Sequence, residues 1–187
     1  MLLPPSESFK EAEKIGLPVP AWSEDLTIEP PAYVKADVPL PHKTERGAVI
    51  RAESEEELRK AYERIKERFG KAIVQKEVKG DLEVLVSLKE DGVFGKVLVL
   101  AFGGVLASVV KESAVTPCPL CKGSLAKKLE GRKLSIITKG FRGKKLDVDC
   151  LFGVMERLCE ADAKVFEVNP LVLSRSGCWA VDVKVWK

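Results

Sequence analysis

The last stretch of the chain, residues 164–186, limits the possible fold more than any other. It holds two strand-like runs on either side of Arg175-Ser176-Gly177. A turn centred between Arg175 and Ser176 sets Asn169 directly opposite Asp182 and Glu167 opposite Lys184. In the same register Phe166 meets Val185, Val168 meets Val183 and Pro170 meets Val181. One face is then polar and the other apolar, and a slip of one residue would carry the charged set into the core, so the pattern specifies the register. Directly opposed side chains have Cβ atoms about 4.5–5.5 Å apart. An Asn carbonyl and a carboxylate so placed can share one cation, and hard oxygen donors suit Mg²⁺, which takes its remaining ligands from water and nucleotide phosphates. On spacing alone, a solvated polar face on an edge hairpin is the alternative.

Proline governs the other end. Pro4, Pro5, Pro18, Pro20, Pro30 and Pro31 crowd residues 1–31, which read as a lead-in with at most one short helix at 8–15. Strands are expected at 32–36 and 47–51. Between them Pro39 and Pro41 forbid a helix, which places His42 on a loop. Ser54-Glu55-Glu56-Glu57 is a capping box, and Leu58, Ala61, Tyr62, Ile65 and Phe69 then recur at helical spacing. Strands are predicted at 72–78, 82–89, 96–102 and 105–111, with turns at Gly80-Asp81 and Asp91-Gly92. A short helix at 124–129 and a longer one at 149–161, striped by Leu151, Phe152, Met155 and Leu158, precede the last hairpin. This order implies an α+β fold with mainly antiparallel strands and helices packed on one side.

A chain of 187 residues can bury one core, divided at most into two small lobes around a cleft. No segment approaches the roughly 18 uninterrupted apolar residues of a membrane span. The first residues, Met1-Leu2-Leu3-Pro4-Pro5, lack the features of a secretion signal, so a cytoplasmic location is expected. The net charge of +3 comes from basic residues interspersed with Glu and without aromatic interleaving, which argues against a nucleic-acid surface. The chain has one Asn (Asn169), one Gln (Gln75) and one His (His42). Such scarcity of labile amides resembles a heat-adapted protein. Five cysteines, an odd number in a chain of this type, argue against a disulfide framework. Cys118-Pro119-Leu120-Cys121 is half a zinc knuckle with no second half in the sequence. Zinc, free thiols and a bridge such as Cys118–Cys121 all remain open.

Three stretches together resemble the β subunit of archaeal ADP-forming acetyl-CoA synthetases and, more distantly, the ATP-grasp part of succinate–CoA ligase. They are Tyr33-Val34-Lys35 with Pro41-His42-Lys43-Thr44-Glu45-Arg46-Gly47; Phe102-Gly103-Gly104-Val105; and Glu167-Val168-Asn169-Pro170-Leu171 with Ala180-Val181-Asp182. The resemblance implies an ATP-grasp-like nucleotide-binding domain over 32–187, with a small first lobe at 32–74 and a second at 75–187. It implies an acid–thiol ligase that turns acyl-CoA, ADP and phosphate into acid, CoA and ATP. The CoA-binding α-type partner subunit would pass phosphate to His42, and His42 would pass it to ADP. A neutral imidazole is nucleophilic at neutral pH, as that role requires. By the same resemblance Lys35 neutralises nucleotide phosphates, Gln75 and Glu77 belong to the segment that reads adenine, and Glu83 lies near the nucleotide. Gly103 and Gly104 permit close backbone approach, Asn169 and Asp182 hold Mg²⁺, and Glu167 is a contact for the phosphohistidine.

The sequence also departs from that family. The first lobe is shortened, with no counterpart of the family's helix between Trp22 and Ala32. Ser108 stands where the family has an acid, Thr116 where it has an arginine, and Glu45-Arg46-Gly47-Ala48 follows the His-Lys-Thr motif in place of an acid and two glycines. These departures keep a second reading open, a catalytically weakened ATP-grasp subunit that binds or regulates. A third is a zinc-dependent interaction module built on Cys118 and Cys121.

Overall fold

The computed structural model describes residues 1–40, 45–140, 143 and 145–187. His42 lies outside the described residues. In chain order the elements are α1 (Pro5–Lys14), β1 (Trp22–Ser23), β2 (Ala32–Ala36), β3 (Val49–Ala52), α2 (Glu55–Phe69) and β4 (Ala72–Lys76). Then come β5 (Leu82–Asp91), β6 (Gly95–Phe102), α3 (Leu106–Val109), β7 (Ser113–Pro117), α4 (Lys122–Leu129) and α5 (Ile136–Lys139). The chain ends with α6 (Val148–Glu160), β8 (Val165–Leu173), β9 (Cys178–Ala180) and β10 (Val183–Trp186).

Among the described residues two antiparallel sheets result. The smaller has four strands in the order β1-β4-β2-β3, and the larger has six, in the order β10-β8-β5-β6-β7 with β9 pairing β8. Helix α2 covers the smaller sheet. Its cap is the predicted one, with Ser54 Oγ accepting from the Glu57 N–H at 3.3 Å, while the Glu57 carboxylate reaches past the cap to the Glu53 N–H at 2.8 Å. The core under α2 is modest, and six of its ten buried residues are alanines (Ala32, Ala36, Ala48, Ala52, Ala61 and Ala72). A larger core lies between the six-stranded sheet and α4–α6, where Val84, Val86, Leu88, Leu151, Met155 and Leu158 are fully buried.

Residues 1–31 are built into this body and are more than a lead-in. Helix α1 starts at Pro5, earlier than expected, because proline's fixed φ suits the first helical position and its missing N–H is no loss there. Phe9 and Ala12 on that helix are completely buried in the larger core. The Asp37 carboxylate accepts from the Ser6 N–H and hydroxyl, each at 2.8 Å, which ties α1 to the end of β2. Leu3 donates to the Val185 carbonyl, Ala180 to that of Pro18, and Trp22 and Ser23 add an edge strand to β4. No helix intervenes between β1 and β2, so the first lobe has α2 alone.

Two further expectations are corrected. Residues 105–111, rich in valine, fold as the short helix α3 and its flanks, and the strand moves to β7. Gly104 takes φ +53° and turns the chain out of β6, after which the Ala107 N–H bonds back to the carbonyls of Gly103 and Gly104. Only from Ser113 on does alternating burial suit a strand, with Ala114 and Thr116 inward against Leu100 and Leu98. The cysteines also depart from expectation, pairing as Cys118–Cys159 and Cys150–Cys178, with Cys121 free and exposed. Because Cys118 is spent on α6, Cys118 and Cys121 do not form half of a zinc site. No group of three or more metal-type side chains exists among the described residues. Nor is any described helix long and apolar enough to cross a membrane.

The place of Phe9 in the core yields a direct test. Phe9→Ala should destabilise the protein by about 3–5 kcal/mol, as for other buried phenylalanines, measured by denaturant unfolding. A loss below about 1 kcal/mol would return residues 1–31 to the status of an appendage.

Candidate functional site

The predicted register of the last hairpin holds. Val168 pairs with Val183, Glu167 with Lys184 and Phe166 with Val185, and farther along Leu171 pairs with Ala180. Between these the Asn169 N–H donates to the Asp182 carbonyl at 2.9 Å and the Val181 N–H to that of Pro170 at 3.1 Å. On its other side β8 meets β5 with a register shift. Val84 pairs with Leu171 but Val86 with Val168, so Asn169 and Pro170 form a bulge opposite Leu85. Bulges re-aim side chains, and proline is at home in them because it lacks a ladder donor. Phe166 and Val168 point into the core before the bulge and Leu171 and Leu173 after it. Asn169 and Pro170 both turn to the opposite face. Pro170 and Val181 therefore line a cleft and do not continue the apolar core face expected of them.

That cleft, about 460 Å³, separates the two sheets. Tyr33, Lys35 and Val49 contribute from the smaller sheet, and Glu83, Gly104, Asn169, Asp182 and Lys184 from the larger side. Lys35 is buried at 5% exposure. Its ammonium donates to Gln75 Oε1 at 2.6 Å and across to the Val181 carbonyl at 2.9 Å, linking one sheet to the other. A buried ammonium without such acceptors would be strongly disfavoured. The Phe9 ring centroid lies 5.7 Å from the same nitrogen, within cation–π range.

The two glycines are required by their surroundings. A Cβ on Gly103 would meet the Val84 backbone at 2.6 Å, and one on Gly104 would fall 1.6 Å from Glu83 Oε2. Gly104 also has a left-handed φ that side-chain-bearing residues rarely adopt. The Glu83 carboxylate thus rests against the backbone at the end of β6, and the Gly104 N–H makes a long contact of 3.4 Å to Asn169 Oδ1.

Asn169 and Asp182 offer the oxygen donors expected of a magnesium site, and they come together on the cleft wall. The donor chemistry fits the ion. Lys184 was not foreseen as a site residue. Its ammonium stands 3.2 Å from Glu167 Oε1 and 3.7 Å from Asp182 Oδ2, holding both acids in one network. The signal was present in the register, which sets Lys184 opposite Glu167.

Gln75 and Glu77 are not brought to the cleft wall, whereas Lys76 and Val78 beside them are. Gln75 is fully buried behind Lys35. Glu77 accepts from Arg51 Nε at 2.6 Å and Nη2 at 3.0 Å, and from the Tyr33 hydroxyl at 3.3 Å. Those Arg51 hydrogen bonds hold the Glu77 carboxyl below the usual carboxylate range and raise Arg51 in turn. Tyr33 is pushed up by burial first and the Glu77 charge second. Ser108, on α3, donates to the Val105 carbonyl at 2.8 Å, and Thr116 is buried in β7.

Comparison with known proteins places the fold in a family. The model of the ATP-grasp domain matches residues 5–186, and the chain belongs to that family. Among curated relatives it is 28% identical, over 93% of its length, to acetate–CoA ligase [ADP-forming] I of Archaeoglobus fulgidus, and covers 26% of that protein. It is 25% identical, over 95% of its length, to the acetate–CoA ligase [ADP-forming] II subunit beta of Pyrococcus furiosus, and covers 77% of it. The chain thus spans about a quarter of the length of the first relatives it matches (26% in each of two) and most of the separate beta subunit. Among solved structures, the dinucleotide-forming acetyl-coenzyme A synthetase 1 of Ca. Korarchaeum cryptofilum, in complex with coenzyme A and Mg-AMPPCP, superposes with a TM-score of 0.83. That match has 24% identity and covers 99% of this chain and 92% of the other.

The Arg51–Glu77 pair gives a pH test. A carboxyl depressed in the folded state stabilises above its unfolded pKa, and that contribution is lost as pH falls through the folded value. Arg51→Ala should therefore lower Tm at pH 7, and the gap to wild type should close below about pH 4, where carboxylates protonate. A gap independent of pH would show that Arg51 acts through packing.

Proposed function

We propose that this chain is the nucleotide-binding part of an ADP-forming acyl-CoA synthetase, converting acyl-CoA, ADP and phosphate to acid, CoA and ATP with a CoA-binding partner subunit. The observation that carries the reading is the cleft itself. Lys35, Glu83, Gly104, Asn169 and Asp182, distant in sequence, converge on one cavity between two sheets. The names of the relatives support the same reaction.

In this reading Lys35 attracts the nucleotide phosphates. Asn169 and Asp182 hold Mg²⁺, which supplies positive charge for phosphoryl transfer when bound. Gly103 and Gly104 keep the end of β6 thin, so that the Glu83 carboxylate and the Gly104 backbone both border the cleft. Adenine is read beside Lys76 and Val78, in the segment that also contains Gln75 and Glu77. His42 is the phosphate carrier, accepting phosphoryl from the partner and giving it to ADP. The Korarchaeum synthetase has a "phosphohistidine segment pointing towards nucleotide binding site", and phosphate delivery of that kind is what this reading requires. Glu167, held by Lys184, receives the phosphorylated imidazole.

Two experiments test this. Asp182→Ala should weaken Mg-ADP binding at least about tenfold, the effect of roughly 1.4 kcal/mol, with the fold intact by circular dichroism. Unchanged affinity in calorimetry would remove Asp182 from the site. His42→Ala should abolish ATP formation with the partner while sparing ADP affinity. The wild-type chain, incubated with partner, acyl-CoA and phosphate, should acquire an acid-labile, alkali-stable phosphate that His42→Ala lacks. Normal turnover by the variant would refute the carrier role.

A further inference from the structure

Gln75 is an odd choice for its position. Its side chain is completely buried, and its Oε1 takes a 2.6 Å hydrogen bond from the Lys35 ammonium. Lys35 Nζ is only a donor, so the amide oxygen must face it and the orientation of the group is not arbitrary. The Nε2 end then points away, and it finds no acceptor among the described residues. An unpaired buried N–H₂ is destabilising. Glutamate, of the same shape, would leave no orphan donor and would add an ion pair to the hydrogen bond from Lys35, which is the stronger interaction. Methionine, of similar length, would bury no polar group at all. Both alternatives serve stability better on one count or the other.

What glutamine does that neither does is hold the ammonium without cancelling its charge. A neutral amide oxygen fixes Lys35 from the side of β4, as the Val181 carbonyl does from the hairpin at 2.9 Å. We propose that Gln75 is a positioning residue that clamps Lys35 at the cleft wall through a neutral acceptor, so that the clamp itself adds no negative charge beside the nucleotide phosphates. This rests on the nucleotide-binding reading of the cleft. It differs from a role in reading adenine, because Gln75 acts through Lys35 and does not border the cavity.

The inference separates stability from binding. Gln75→Glu creates a buried ion pair with Lys35, so its Tm should equal or exceed that of wild type, while its Kd for ADP should rise at least about tenfold. Gln75→Met adds no charge to the site but removes one acceptor from the ammonium. Its Tm should fall, and its Kd for ADP should rise only about two- to threefold, well short of the Gln75→Glu loss. If Gln75 were merely structural, the order would reverse, with methionine the worse binder and glutamate near wild type. Tm by differential scanning calorimetry and Kd by isothermal titration with ADP on all three chains decide it. Equal ADP affinity in wild type and Gln75→Glu, or a larger loss in Gln75→Met, overturns this proposal alone. Failure of the wild-type chain to bind ADP overturns the nucleotide reading, and this proposal with it.

Discussion

The arrangement of the two sheets turns on one buried charge. Lys35 stands in the middle of the smaller sheet, yet its ammonium ends at a carbonyl of the larger one. Burying an ammonium is tolerable only when acceptors are already in place. Two acceptors reach it from different sides, Gln75 from β4 and Val181 from the link between β9 and β10. The cleft is in this sense a consequence of satisfying Lys35. The carbonyl it requires belongs to the residue before Asp182, so whatever secures the lysine also fixes the approach of the acid to the same cavity.

The bulge at Asn169 and Pro170 does the corresponding work on the other wall. A regular strand would have put one of these residues in the cleft and the other in the core. With one extra residue in β8, both face the cavity, and the hydrophobic alternation resumes beyond them at Leu171 and Leu173. Glu83 and Gly104 then meet on the neighbouring strands, close enough that nothing larger than hydrogen fits on Gly104.

Much of this could be read from the sequence because the signals were periodic. The pairing of β8 with β10 followed from alternation around one turn, and α2 followed from its capping box and apolar stripe. The bulge was not legible, since the hairpin partner runs through it in unbroken register and only β5, distant in the chain, records the shift. The strand expected at 105–111 failed because valine content outweighed the turn imposed by Gly104. The two disulfides join cysteines 41 and 28 residues apart, and nothing in local spacing selects such partners. Of the residues that line the cleft, Lys35, Glu83, Asn169 and Asp182 were recoverable from motif and register. Lys184 needed its contacts with two acids to stand out, and the burial of Gln75 behind the cleft is a matter of which face of β4 is covered.

The alanine-rich core under α2 has its own consequence. An alanine buries a single methyl where leucine buries four side-chain carbons, at about 0.8 kcal/mol for each buried CH₂. With six alanines among ten core positions, the smaller lobe has little internal cohesion to resist distortion. The larger core, filled by Phe9, Phe166, Leu88, Met155 and their neighbours, is the rigid reference frame. Thermal displacements then differ across the molecule, and fluctuations of the cleft's width are chiefly movements of the wall backed by the alanine-rich core.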